Sequence, residues 1–217
     1  FLMSIDDEVI FFIIIRFISG LSSAFVLIFG TALILPSIQA FGKKSLSTSH
    51  FMGVGFGIVI SSILVTFLGE LGFHWDDLWI GVATLSVILA IPIIIYTPNE
   101  ILQHSYSQNS NYKNNFSFSL ISISYGLYGF GYVILGTFIS AMARETSGLE
   151  TTEIYVWLLV GLAGIPMVIF WPWFGKKIGN DLALFLACAI MGLGVLMPVL
   201  LENKVGITSA SILLGST

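Results

Sequence analysis

Residues Val9–Pro36 read VIFFIIIRFISGLSSAFVLIFGTALILP, and they decide the class of fold. One formal charge, Arg16, interrupts the stretch. The hydrocarbon core of a bilayer takes roughly 20 apolar residues to cross as a helix, so this stretch is long enough to span. Further apolar runs cover residues 51–69, 78–96, 116–143, 154–174 and 182–201, and residues 205–217 begin another that is too short to cross. Of the 217 residues, 56% are hydrophobic and 9% are charged. A soluble domain covers its surface with about 25% charged residues. The runs are apolar nearly all round, as lipid-facing helices are. They are also continuous, unlike the short alternating segments of an outer-membrane barrel. Pro92, Pro166 and Pro198 fall within spans, where membrane helices tolerate proline. The expected fold is all-α: a polytopic membrane bundle of about six complete transmembrane helices and a truncated seventh.

Orientation follows from the lysines. Loops 37–50, 97–115 and 175–181 share one side and carry Lys43, Lys44, Lys113, Lys176 and Lys177. The loops on the other side carry only Arg144 and Lys204 among their basic residues, and most of the acidic ones. Lys and Arg collect on the cytoplasmic side. The first span therefore runs inward, and the polar stretch 97–115, rich in Asn, Ser and Gln, is cytoplasmic. His74, Trp75 and Trp79 lie at the outer rim and Trp171 and Trp173 near the inner one, where aromatic rings read as interfacial anchors.

Few residues carry chemistry. His50, His74 and His104 lack paired ligand spacing, so no metal site is expected. Cys188 is alone and cannot form an internal disulfide. No basic block points to nucleic acid, and no polar catalytic pair lies at membrane depth, so an enzyme is not expected and no cofactor is called for. Arg16 is the exception. A charge inside a span is costly and usually faces the bundle interior or a water-filled cavity. Arg16, Ser19, Gly20 and Ser23 share one helical face. The bland alternative is snorkelling, since Arg16 is about two turns from the outer end. Gly53 and Gly57 form a GxxxG pair suited to helix packing. In the fourth span, Ser122, Tyr125, Gly126, Gly129, Tyr132 and Gly136 recur on one face, with Tyr128 off that stripe. This face either lines a pathway or packs with its hydroxyls bonded to neighbours.

Arg16-Phe17-Ile18-Ser19-Gly20 and the small residues after it resemble the fourth-helix motif of the major facilitator superfamily, with Ser19 where that motif usually has Gln. PWFGKKIGNDLAL, residues 172–184, resembles a degenerate form of the superfamily's loop between helices 8 and 9. Gly179 matches its second glycine, and Lys176 stands at the position of its Asp. Taken with HFMGVGFGIVISS (residues 50–62) and YGLYGFGYVILGTFISAMARE (residues 125–145), the chain is similar to the YbfB/YjiJ branch of bacterial superfamily transporters.

The resemblance implies a fragment spanning helices 4 to 9 and the start of helix 10 of twelve. Residues 1–96 would close the first six-helix half, 97–115 would be the cytoplasmic linker, and 116–217 would open the second half. It implies a secondary transporter of a small solute in a bacterial inner membrane, working by alternating access between two bundles. Membrane lipid, a small-molecule substrate and a coupling proton are the partners to test. Arg16, Ser19, Gly20, Tyr125, Tyr128, Gly129 and Tyr132 are the candidates for substrate or coupling roles. The rival reading is a non-transporting membrane sensor or assembly subunit. The topology has a direct check: a membrane-impermeant amine reagent should label Lys43 and Lys176 only after sealed cells are opened. Labelling of the two from opposite faces would overturn it.

Overall fold

Each long apolar run forms a single helix. The computed structural model describes residues 2–5, 8–40, 48–96, 116–146 and 150–217. Its helices are α1 (Val9–Ala40), α2 (Met52–Glu70), α3 (Trp75–Tyr96), α4 (Phe116–Glu145), α5 (Glu150–Ile178), α6 (Asn180–Leu200) and α7 (Lys204–Gly215). Short 3-10 turns occupy Leu2–Ser4 and Ser49–Phe51. Among the described residues there is no strand. Six helices are long and apolar enough to cross a membrane. α1 has 32 residues; at the standard rise it is about 48 Å long, more than the hydrocarbon needs. α7 has 12 residues and reaches only about 18 Å. Lys43, Lys44, His104, Lys113 and the proposed linker at 97–115 lie outside the described residues.

Where the helices end, the sequence supplies local chemistry. Gly72, at φ 81°, stops α2: its N–H donates to the Gly69 carbonyl (3.0 Å) and the Phe73 N–H to the Leu68 carbonyl (3.2 Å). This paired pattern closes the last turn on a left-handed residue. Asp76 and Asp77 sit in the first turn of α3, where negative charge complements the helix dipole. Asn203 caps α7 by accepting from the Gly206 N–H at 3.1 Å, which satisfies one of the donors that a helix start leaves free.

The connection between the fifth and sixth spans departs from the sequence reading. Residues 175–181 were expected to form a loop. Instead α5 continues through Lys176 and Lys177 to Ile178, and α6 begins at Asn180. The whole connection is Gly179, at φ 93°. Lysine is a good helix former, and a cation in a last turn is favoured by the dipole. A polar pair therefore marks the membrane edge here without ending the helix.

The chain divides into two compact units. One comprises Phe1–His50 and Ile63–His104, the other Phe51–Ser62 and Ser105–Thr217, so the division falls inside α2. In the first unit, Met3 is buried and Thr31 in α1 meets His50 at 3.2 Å from Oγ1 to Nε2. In the second, Leu135, Ile139 and Ala143 of α4 pack with Val156 and Val160 of α5 and with Ile207, Ala210 and Leu214 of α7. α6 buries Ala183, Ala187, Met191, Gly194 and Pro198, a face at helical spacing made mostly of small residues. Such residues let backbones approach where lipid removes most of the hydrophobic drive to associate.

α2 and α5 cross closely through glycine. A Cβ at Gly161 would lie 3.0 Å from the Gly55 carbonyl oxygen and 2.8 Å from Val59 Cγ2. A Cβ at Gly55 would lie 3.2 Å from the Gly161 carbonyl oxygen. Gly53 and Gly57, read from their spacing as a packing pair, have no neighbour within 4 Å. Two residues along a helix is about 200° of rotation, so a helix that presents Gly55 turns Gly53 and Gly57 away. α7 also approaches α5 closely, with a Cβ at Gly164 falling 3.3 Å from the Gly215 carbonyl oxygen. Gly161→Leu should therefore cost about 1–3 kcal/mol by overpacking. This would be read as a lowered thermal midpoint in detergent, whereas Gly53→Leu should leave the midpoint unchanged. Equal effects would place the crossing elsewhere.

Candidate functional site

Arg16 lies on α1 about two turns from its start, with Phe12 one turn before it on the same face. α3 brings Trp79 alongside. The guanidinium carbon is 5.0 Å from the centroid of the Trp79 ring and 5.8 Å from that of Phe12. The two rings meet edge to face, with centroids 6.3 Å apart. Both distances are within cation–π range. The magnitudes matter. An arginine at helix centre costs about 2.5–3.5 kcal/mol on insertion scales and less toward a helix end, and a cation–π contact returns about 0.5–1 kcal/mol at an exposed site and about 2 kcal/mol when desolvated. The rings thus offset part of the cost without neutralising the charge. Among the described residues, the Arg16 guanidinium donates no hydrogen bond.

The rest of this face is less occupied. The Ser19 hydroxyl donates to the Arg16 backbone carbonyl at 3.0 Å, so its proton is used within α1. Gly20 has open space beside it. Trp79 was read from sequence as an interfacial anchor, and the structure gives it a specific partner. No sequence motif links α1 to α3, so only the spacing of Phe12 and Arg16 hinted at an aromatic neighbour. Trp171, read in the same way, donates from Nε1 to the Ser216 carbonyl at 2.7 Å and ties α5 to the end of α7. Trp173 takes Lys177 Nζ over its ring at 4.0 Å.

The aromatic residues of α4 form a second cluster. Its packed face runs through Tyr128, Tyr132, Leu135, Ile139 and Ala143, with Tyr128 and Tyr132 half-buried. Tyr128 is therefore on the inward stripe, contrary to the sequence reading, because steps of four and three residues keep it in line with Tyr132 and Leu135. Tyr125 is 72% exposed and stacks on Tyr128, with centroids 6.5 Å apart and planes at 24°. Tyr132 packs against the core of α4, α5 and α7. A Cβ at Gly136 would lie 3.3 Å from the Trp157 ring, while Gly126 and Gly129 have no neighbour within 4 Å. Arg16, Ser19 and Gly20 belong to the first unit, and the tyrosines to the second.

At the C-terminal end of α4, Arg144 forks onto Glu153 of α5. Its Nε donates to both carboxylate oxygens, at 3.0 and 3.1 Å, and its terminal nitrogen also bonds Oε1. His74 Nδ1 similarly meets Asp76 Oδ1 at 2.8 Å. Among the described residues, no group of three or more His, Cys, Asp or Glu side chains is placed to hold a metal ion.

The model of a family described as the uncharacterised MFS-type transporter YbfB covers residues 1–217. Comparison with curated proteins and with solved structures gives no match. The two tyrosine environments differ in a way that stability measurements resolve. Tyr132→Ala should destabilise by about 3–5 kcal/mol, as for other buried aromatics, whereas Tyr125→Ala should change the thermal midpoint little. Comparable losses at both positions would contradict the packing described.

Proposed function

Because the chain belongs to the YbfB-like family of major facilitator-type transporters, we propose that it moves a small solute across a bacterial inner membrane by secondary active transport. The chain is a multi-pass membrane protein of helical-bundle architecture. The family match over residues 1–217 is the observation that carries the transporter reading. Transport would proceed by alternating access: two bundles rock about a site near the bilayer midplane. The first bundle would include residues 1–96, the second residues 116–217, with residues 97–115 as the cytoplasmic linker.

Arg16 is the proposed working charge of the first bundle. Its guanidinium keeps its donors while the rings of Phe12 and Trp79 shield it. A cation placed so is suited to hold a substrate anion or to bias a coupling proton. Ser19 and Gly20 extend the same helical face, and Gly20 leaves room beside it. Tyr125, Tyr128 and Tyr132, with Gly129, are the proposed contribution of the second bundle. Tyr125 offers an exposed ring, and its stacking on the half-buried Tyr128 fixes where that ring stands. Gly53 and Gly57 remain available for packing against a further helix.

Uptake and efflux assays in sealed vesicles test the reading. Arg16→Ala, expressed and inserted normally, should reduce flux by tenfold or more, which is about 1.4 kcal/mol at the limiting step. Arg16→Lys should retain only part of the flux, because a point charge replaces a planar fork of donors. Undiminished flux in Arg16→Ala would remove Arg16 from the mechanism.

A further inference from the structure

We infer that Trp79 is a positioning residue for Arg16. It holds the guanidinium by a cation–π contact, which leaves the N–H groups for an anionic group of the ligand. The inference rests on the role given to Arg16 above, but its test does not. Three observations carry it. Trp79 and Arg16 come from different helices, α3 and α1, and the guanidinium carbon lies 5.0 Å from the ring centroid. Phe12 braces the arrangement from α1, lying 5.8 Å from the guanidinium carbon and edge to face with Trp79. Among the described residues, no hydrogen-bond acceptor engages the guanidinium, which leaves its in-plane donors unspent.

The chemistry follows from geometry. A ring beside a guanidinium attracts the charge through its quadrupole and offers no carboxylate oxygen to its N–H groups. The donors of arginine lie in the guanidinium plane, in a fork that matches two carboxylate or phosphate oxygens. A carboxylate partner within the protein would have taken those donors. An aromatic partner lowers the cost of the buried charge and leaves the fork available. Tryptophan is the strongest ring for this purpose, so phenylalanine should hold the cation less well and leucine least.

Arginine-selective modification with phenylglyoxal reads this without any transported substrate. The chain has two arginines, Arg16 and Arg144. Arg144 is held by Glu153 and serves as the internal reference. In the full-length protein in nanodiscs, peptide mapping by mass spectrometry gives the ratio of Arg16 to Arg144 modification. Trp79→Leu should raise that ratio by roughly threefold or more, Trp79→Phe should fall between it and the parent, and Phe12→Leu should have a smaller effect than Trp79→Leu, in the order of the ring contacts. A ratio unchanged in Trp79→Leu, or the same in the phenylalanine and leucine variants, overturns the inference. Should the leucine variant fail to fold, tryptophan emission supplies the reading. Arg16→Gln should change the emission spectrum of the parent but not of Trp79→Phe. Equal changes in both backgrounds, or none in either, would also overturn it. Loss of transport on removing Arg16 with no change in these ratios would retain Arg16 and dismiss Trp79. The reverse result would retain the contact and dismiss the transport role.

Discussion

Every peptide group of these spans must find its hydrogen-bond partner within its own helix, because hydrocarbon offers none. The rest of the structure depends on that constraint. It fixes helix as the local structure, and it leaves to the side chains only the question of how helices meet. Lipid is as apolar as leucine, so apolar area alone cannot decide that question. Close approach can. α5 shows how: Gly161 brings it against Gly55 of α2, and Gly164 brings it against the last turn of α7. The buried face of α6, with Ala183, Ala187 and Gly194, follows the same logic. Large apolar side chains are mostly left on the outside, where lipid is their solvent.

Charge is handled by an equally economical rule. Formal charges are few, and several of the described ones have an identifiable local partner. Arg16 rests against Trp79 and Phe12, and Lys177 rests on Trp173. Arg144 and Glu153 form an ion pair where α4 ends and α5 begins. Exposed pairs of that kind are worth about 0–1 kcal/mol, so its contribution is to register rather than to stability. Aromatic rings recur as partners of cations because a ring can lie in an apolar setting and still attract positive charge.

Much of this architecture could be read from the chain alone. The spans were legible because an unbroken apolar run of that length has few other uses. The helix face turned inward was not legible. α2 is apolar all round, so its sequence contains both Gly53-Gly57 and Gly55 and does not say which side meets α5. Tyr128 was misplaced for a related reason: glycines at 126, 129 and 136 drew a plausible stripe, whereas the packed one is set by Leu135, Ile139 and Ala143. At residues 175–181, polar composition was read as a break, although lysines extend a helix readily once it leaves the hydrocarbon. Arg16 stood out because charge within a span is rare. Its ring partner did not, since the contact joins residues on separate helices and a tryptophan near the rim has an adequate interfacial explanation.

The single glycine between α5 and α6 has a mechanical consequence. Gly175 is buried against the start of α6, where a Cβ would come within 2.9 Å of Asn180 Oδ1, and the Gly179 N–H is bonded back to the Gly175 carbonyl at 2.9 Å. A connection of one residue has no slack to absorb displacement. Any tilt of the C-terminal end of α5 must be passed on to α6, so the two helices behave as the arms of one stiff bracket.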